Sequence, residues 1–148
     1  MSIVWTRCVG TLLTCCVVAI SLAGCNTENG DKKESTVTAA GILTYKGQPL
    51  EYHQIYLQSE GKRAATALTG SDGRFQLGTN QAGDGAPAGR QQVAVVYAGP
   101  PVLEGDAAEV KTPPPKVKIP PKYQRAETSG LTLEIPPGGS SDLKIELQ

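Results

Sequence analysis

The chain has 148 residues, of which 39% are hydrophobic, and it carries 14 Lys and Arg against 14 Asp and Glu. That length fits a single domain with its own core. The balanced charge gives no electrostatic footprint for nucleic acid, so we expect no nucleic-acid partner.

The first 24 residues have the three-part layout of a secretory signal peptide. A short segment with one basic side chain, Met1–Arg7, precedes the apolar stretch Cys8–Leu22, and the small residues Ala23 and Gly24 follow. The apolar run is shorter than the roughly 20 residues that a spanning helix needs, and hydroxyl side chains interrupt it. We therefore predict that residues 1–24 are cleaved.

Leu22-Ala23-Gly24-Cys25 resembles a bacterial lipobox. This motif predicts that Cys25 becomes the first residue of the mature protein, that it is lipid-modified, and that palmitate is among its acyl chains. Several acyl chains on one residue suffice for stable anchoring. The predicted location is the cell envelope, lipid-anchored to a periplasm-facing membrane surface, with the outer membrane left open as an alternative.

Export would leave the domain without cysteine cross-links. The other three cysteines, at positions 8, 15 and 16, are removed with the signal peptide. The mature domain then has neither a disulfide nor a thiolate metal site, and we predict no metal and no cofactor. Residues 25–35 comprise the lipidated cysteine and a polar tether with a reach of about 17 Å.

Residues 36–148 alternate hydrophobic and polar side chains in short segments, which is typical of strands. His53, Ile55 and Leu57 share one face of the second segment, and Tyr52 and Tyr56 share the other. The stretch Lys46-Gly47-Gln48-Pro49 predicts a turn after the first segment. The Asp72-Gly73 pair predicts a hairpin turn, after which Phe75 and Leu77 should point inward. The seven predicted strands are Thr36–Tyr45, Glu51–Gln58, Ala64–Thr69, Arg74–Thr79, Arg90–Ala98, Leu131–Ile135 and Asp142–Leu147.

The segment Gly99–Tyr123 contains seven of the eleven prolines, and we predict a loop or polyproline II there. No segment shows helical periodicity. Seven amphipathic strands bury best as two stacked antiparallel sheets, which predicts an all-β, seven-stranded antiparallel β-sandwich. The expected topology is immunoglobulin-like or transthyretin-like (prealbumin-like).

Several turn and strand-start motifs resemble those of carboxypeptidase regulatory-like (transthyretin-like) domains in bacterial lipoproteins. They are Gly41–Leu50, Thr69–Leu77 and Asp84–Gly89. Ile119–Tyr123 with Thr128–Thr132 is similar to the small exported members found in planctomycetes. The resemblance spans roughly residues 37–148 and implies a non-catalytic sandwich module.

Candidate site residues are few. His53 is the one histidine, and no nucleophile or ligand pattern accompanies it, so we predict a structural role. Asp72 and Asp84 precede glycines and are interpreted as turn residues rather than calcium ligands. Tyr52 and Tyr56 on one strand face, and Tyr123 with Lys116, Lys118 and Lys122 on the proline-rich loop, are the candidate contact residues. The favoured alternative for that loop is a long crossover between the sheets, which its prolines stiffen.

We therefore expect a lipid-anchored, non-enzymatic β-sandwich that binds or supports an envelope protein or glycan. One alternative is a carbohydrate- or peptide-binding module, which clustered exposed aromatics would support. The other is a small-molecule hydrolase of the transthyretin-like type. The hydroxyisourate hydrolase family uses several histidines, an arginine and a Tyr-Arg-Gly-Ser terminus. This chain has one histidine and ends Ile145–Gln148, so that motif is absent.

Overall fold

The computed structural model describes residues 33–101 and 112–148, and this part of the chain is mostly β-structure. The strands are β1 Ala39–Tyr45, β2 Gln48–Pro49, β3 His53–Gln58, β4 Ala65–Leu68, β5 Arg74–Gln76, β6 Gly89–Tyr97, β7 Thr132–Ile135 and β8 Ser140–Leu147. A 3₁₀ helix, Pro121–Gln124, and a one-turn helix, α1 Ala126–Ser129, precede β7. Each predicted strand segment contains a strand, and β2 is an additional short one.

The strands form two four-stranded sheets. In the first sheet β1 is central, with β8 along one edge and β2 and β5 along the other. The second sheet has the order β4-β3-β6-β7 and is antiparallel throughout. Buried side chains from both sheets form one core, which agrees with a β-sandwich.

The expectation of purely antiparallel sheets is wrong for one pair. β8 runs parallel to β1, with Gly41 opposite Leu143 and Tyr45 opposite Leu147. The chain passes from β7 in one sheet to β8 in the other through the turn at Pro136–Gly139, in which the Gly139 N–H donates to the Pro136 carbonyl. Since β1 and β8 are joined by most of the chain rather than by a hairpin, no short connection forces them antiparallel.

The Asp72-Gly73 turn is present, and the two predicted segments around it pair at one antiparallel bridge, Thr66 with Gly78, whose N–H groups donate to each other's carbonyls at 2.8 and 2.9 Å. Beyond that bridge the strands separate. β4 pairs with β3, and β5 pairs with β1 in the other sheet, so the turn is also a corner between the sheets. The Gly73 carbonyl accepts a hydrogen bond from the Leu43 N–H at 2.9 Å, which holds the corner against β1.

A tighter hairpin forms at Lys46-Gly47, where only a turn was expected. Both residues have positive φ, 50° and 79°, as a two-residue type I′ loop requires. Gln48 is then already opposite Tyr45. The turn thus ends two residues earlier than predicted, and β2 begins.

The inward faces follow the predicted alternation. Every second residue of β3 is buried, and so is every second residue of β8 from Leu143 onward, because successive side chains of a strand point to opposite faces. Phe75 and Leu77 point into the core, as expected. The largest fully buried hydrophobic side chains are Leu43, Leu50, Ile55, Leu57, Leu77, Ile135 and Leu147.

The proline-rich segment ends in a structural anchor. Its residues 102–111 lie outside the described residues, and 112–120 form no regular element. Tyr123, on the 3₁₀ helix, is 2% exposed, and its hydroxyl donates to the Gln148 carbonyl at 2.6 Å. The Gln148 N–H donates back to that hydroxyl at 3.1 Å, so Tyr123 holds the end of β8.

Hydrogen bonds to the domain begin at Glu34, one residue before the predicted end of the tether. The Glu34 N–H donates to Asn80 Oδ1, and Asn80 Nδ2 donates to the Glu34 carbonyl, both at 3.0 Å. Val37 forms an isolated antiparallel bridge with Ala86. These bonds hold residues 34–37 against the loop that leads into β6.

Candidate functional site

The predicted lipid-attachment residue, Cys25, lies outside the described residues, together with the predicted signal peptide and residues 26–32 of the tether. The candidate residues that the structure describes all belong to the sandwich domain. Its predicted contact residues are spread over different parts of the fold.

Tyr56 and Tyr52 do not form an aromatic face. Tyr56 lies on the outward face of β3 and is 44% exposed. Tyr52 lies in the turn before β3, with a φ of 55°, and its carbonyl accepts hydrogen bonds from the Ala98 and Gly99 N–H groups. In the described ranges the other large exposed hydrophobic side chain is Leu68, not a tyrosine.

Tyr123 is buried and does not form part of a contact surface. We expected it to present a surface with the lysines of the proline-rich loop, yet its ring is buried in the core cluster. The Gln148 hydrogen bonds explain this placement, because a tyrosine hydroxyl takes a partner when its ring is buried. Lys122 lies over the outer side of that ring, with its Nζ 4.6 Å from the ring centroid.

His53 opens β3 and is buried, with 2% of its surface exposed. Its ring packs edge-on against Tyr97, with centroids 5.2 Å apart. Nδ1 lies 2.7 Å from the Glu51 carbonyl oxygen, which can only accept, so Nδ1 carries the proton. Nε2 is therefore a neutral acceptor, and it is buried with no partner in the described part of the chain.

A cavity of about 420 Å³, the His53 cavity, opens beside this ring. Lys116 of the proline-rich segment and Glu51 form an ion pair across it, with 2.9 Å between Nζ and Oε1. The Tyr97 hydroxyl donates to the Pro113 carbonyl at 2.8 Å and ties the same segment to the sandwich. The hydrogen bond and the charge of Glu51 raise the pKa of Lys116.

This arrangement has few features of a hydrolase site. A nucleophile activated by histidine needs a hydrogen bond to the ring, and His53 Nε2 has none within the described ranges. Its Nδ1 is oriented by a backbone carbonyl rather than by a carboxylate. The contacts of His53 are those of a packed core histidine.

Acidification is expected to destabilise the domain through His53. Burial lowers the pKa of His53 below 6.5, against the smaller opposing effects of the Glu51 carbonyl and charge. Stability should be complete above pH 6.5 and fall as pH drops from there toward the lower native pKa, because the unfolded state binds the proton first. Urea unfolding from about pH 8 to about pH 5 measures this.

The histidine ring gives a second readout, because the chain has one histidine and its NMR signal needs no assignment. We expect a titration midpoint below 6.5. A midpoint at or above that value would show that the ring is not buried as described. The Asp84 carboxyl, whose pKa the Thr79 N–H lowers below 3.8, affects stability only in stronger acid.

A second cavity, of about 740 Å³, lies beyond the other end of β3 and is called the polar cavity. It is lined almost entirely by hydrogen-bonding side chains: Gln58, Ser59, Glu60, Lys62, Arg90, Gln91, Gln92, Glu127 and Thr132. They come from the end of β3, the starts of β6 and β7, the β3–β4 loop and α1. Its size is that of ordinary ligand pockets.

Gln91 is the unusual residue of the polar cavity. It lies on the inward face of β6 with Val93 and Val95 and is 1% exposed. Its Nε2 donates to the Pro87 carbonyl at 2.7 Å, but its buried Oε1 has no partner among the residues that the structure describes. The buried hydroxyl of Ser59 likewise has no partner among them. A buried polar atom without a partner costs about 1–3 kcal/mol.

One wall of the polar cavity is a fixed loop. The β3–β4 loop turns between Ser59 and Lys62, where the Lys62 N–H donates to the Ser59 carbonyl at 3.3 Å. Lys62 Nζ then reaches the Ala88 carbonyl at 2.7 Å, next to the start of β6. These bonds place Ser59 at the cavity without a ligand present.

Asp72 and Asp84 act within their own turns. Asp72 accepts from the Arg74 N–H at 3.0 Å, and Asp84 accepts from the Thr79 N–H at 2.7 Å and from the Asn80 N–H. These are the turn contacts that the sequence predicts. In residues 33–101 and 112–148 no three His, Cys, Asp or Glu side chains converge as a metal site would require.

No protein-family model, curated protein or solved structure matches the chain. The resemblance to carboxypeptidase regulatory-like domains thus stays a prediction. In the described ranges no helix is long and apolar enough to cross a membrane.

Proposed function

We propose that the chain is a lipid-anchored, exported, non-enzymatic β-sandwich module that binds a ligand or partner at the cell envelope. The observation that carries this proposal is the order of its parts. A signal-like segment ends in Leu22-Ala23-Gly24-Cys25, a polar tether follows, and a two-sheet domain with its own core occupies the rest. This order is typical of exported modules held at a membrane by lipid.

The finer topology belongs to the same proposal. A carboxypeptidase regulatory-like, transthyretin-like sandwich is supported by the two sheets and by strands in all seven predicted segments. The turn motifs that suggested the family also make turns here, at Lys46-Gly47 and around Gly73. The proposed topology includes the parallel pairing of β1 and β8, although an entirely antiparallel sandwich was expected.

Binding is favoured over catalysis by the two cavities. The His53 cavity presents one histidine whose contacts orient no nucleophile. The polar cavity instead is lined almost entirely by hydrogen-bonding side chains, which suits it to holding a polar ligand. Either an envelope glycan or an envelope protein can supply groups that pair with this lining.

The proposed lipid anchor at Cys25 is tested on the full chain expressed in a Gram-negative host. After fractionation we expect the protein in the membrane fraction, with labelled palmitate incorporated. Its intact mass should correspond to a chain that begins at Cys25 and carries diacylglycerol and a further acyl chain. A soluble, unlabelled protein would overturn the lipid anchor.

A further inference from the structure

We propose that the outer edge of β8 pairs with the same edge of a second copy of the chain, in an antiparallel dimer with two-fold symmetry. β8 is the last strand of its sheet: it pairs with β1 on one side, and no described residue pairs with its other side. This dimer goes beyond the proposed function and depends neither on the ligand nor on the lipid.

The ladder with β1 shows which backbone groups of β8 face outward. The Leu147 carbonyl accepts a hydrogen bond from the Lys46 N–H at 3.0 Å, so Leu147 is directed at β1. Alternate residues of a strand direct their N–H and C=O groups to opposite sides, so Ile145 is also directed at β1. The N–H and C=O groups of Lys144 and Glu146 therefore point away from the sheet. These four backbone groups can template a further strand.

β8 has few of the features that protect an exposed edge. Such edges are usually very short, or they are interrupted by proline or by a bulge. β8 is eight residues long and contains no proline. Its pairing with β1 shifts in register between Ser140 and Leu143, and from Leu143 to Leu147 it is regular. The regular part is long enough to add a strand along its outer side.

The charges on the outer face of β8 favour a second copy as that strand. Asp142, Lys144 and Glu146 are exposed and alternate in sign. In an antiparallel pair, one register places Lys144 opposite Glu146 of the second copy, and the two-fold axis repeats this contact. A register with Lys144 opposite itself would place Asp142 opposite Glu146, and like charges in that position are destabilising.

A third register would place Lys144 opposite Asp142 of the second copy. That register needs the Asp142 N–H, which already donates to the Ser140 hydroxyl at 3.3 Å. Pairing with Glu146 needs only the four outward backbone groups of each copy, and these form four hydrogen bonds across the axis. Because the interface is small, we expect a dissociation constant on the order of 10–100 µM.

The test uses the full chain in a polyoxyethylene detergent, with micelles in excess over protein. Sedimentation equilibrium is measured from about tenfold below to about tenfold above that constant, and we expect a passage from monomer to dimer. Lys144→Glu should weaken association at least about tenfold, since each substitution acts twice. The double variant Lys144→Glu/Glu146→Lys should recover it. Lys118→Glu, the same reversal at an exposed lysine outside β8, should leave it unchanged.

Amide hydrogen exchange reads out the edge itself. In the wild-type dimer the N–H groups of Lys144 and Glu146 should exchange at least about tenfold more slowly than in the Lys144→Glu variant. The Ile145 N–H, which faces β1, should exchange alike in both proteins, because its partner does not change.

Two outcomes overturn the dimer. One is a wild type that stays monomeric over the whole range, which would leave the edge of β8 to an extended segment of another protein. The other is association that the Lys144→Glu variant retains in full. Recovery by Lys144→Glu/Asp142→Lys in place of Lys144→Glu/Glu146→Lys would overturn the proposed register.

Discussion

A Gly41→Ala variant is expected to lose at least about 3 kcal/mol of unfolding free energy or to fail to fold. Gly41 lies in the middle of β1, opposite Leu143 of β8. A Cβ added there would overlap the Leu143 carbonyl oxygen and lie 2.6 Å from its carbonyl carbon. These are backbone atoms of a paired strand, so neither strand can yield without breaking the β1–β8 ladder.

Urea unfolding followed by circular dichroism measures the loss. Gly138→Ala is the matched control, because no atom lies within 4 Å of the added Cβ and no positive φ is required there. We expect that control to change the unfolding free energy by no more than about 0.5 kcal/mol. Equal stabilities for the two variants would contradict the close approach of β1 and β8.

The inward faces of the strands were predictable because they depend on local alternation alone. His53, Ile55 and Leu57 are buried in β3, as their shared parity indicates. The same reasoning places Leu143, Ile145 and Leu147 in the core. Successive side chains of a strand point to opposite faces whichever strand it pairs with. The buried face can therefore be predicted without knowing the pairing.

Strand partners were less predictable, because they depend on contacts between distant segments. The Asp72-Gly73 pair indicated the turn and the pairing that occurs at the Thr66–Gly78 bridge, but not that β5 pairs with β1 in the other sheet. The hydrogen bond from the distant Leu43 N–H to the Gly73 carbonyl accompanies that second pairing. Likewise, nothing near β8 in sequence shows that it lies parallel to β1.

The candidate site was only partly visible in the sequence. The burial of His53 followed from its parity, whereas Tyr123 was expected at the surface because it follows a proline-rich, lysine-rich segment. Its partner, Gln148, is 25 residues away, so local pattern could not show the hydrogen bonds that hold it. Gln91 gave a usable signal, since a glutamine in register with Val93 and Val95 points inward.

A Cys25→Ala variant is expected to lose lipidation completely and to accumulate as an unprocessed precursor that retains residues 1–24. The cysteine sulfur is the nucleophile that forms the thioether to diacylglycerol, and alanine offers no substitute. Cleavage by a lipoprotein-specific signal peptidase requires that modified residue, so both steps should stop together. Cell fractionation, palmitate labelling and intact mass measure the three consequences.

Cys16→Ala is the matched control for that experiment. It also removes one thiol from the same precursor, but its position lies inside the apolar stretch and not at the predicted cleavage point. It should be acylated and membrane-bound like the wild type, since alanine preserves an apolar, small side chain there. If Cys25→Ala were instead cleaved and released exactly as the wild type is, Cys25 would be incidental to processing. The sandwich would then be a diffusing secreted domain, and its partner should be sought among soluble molecules.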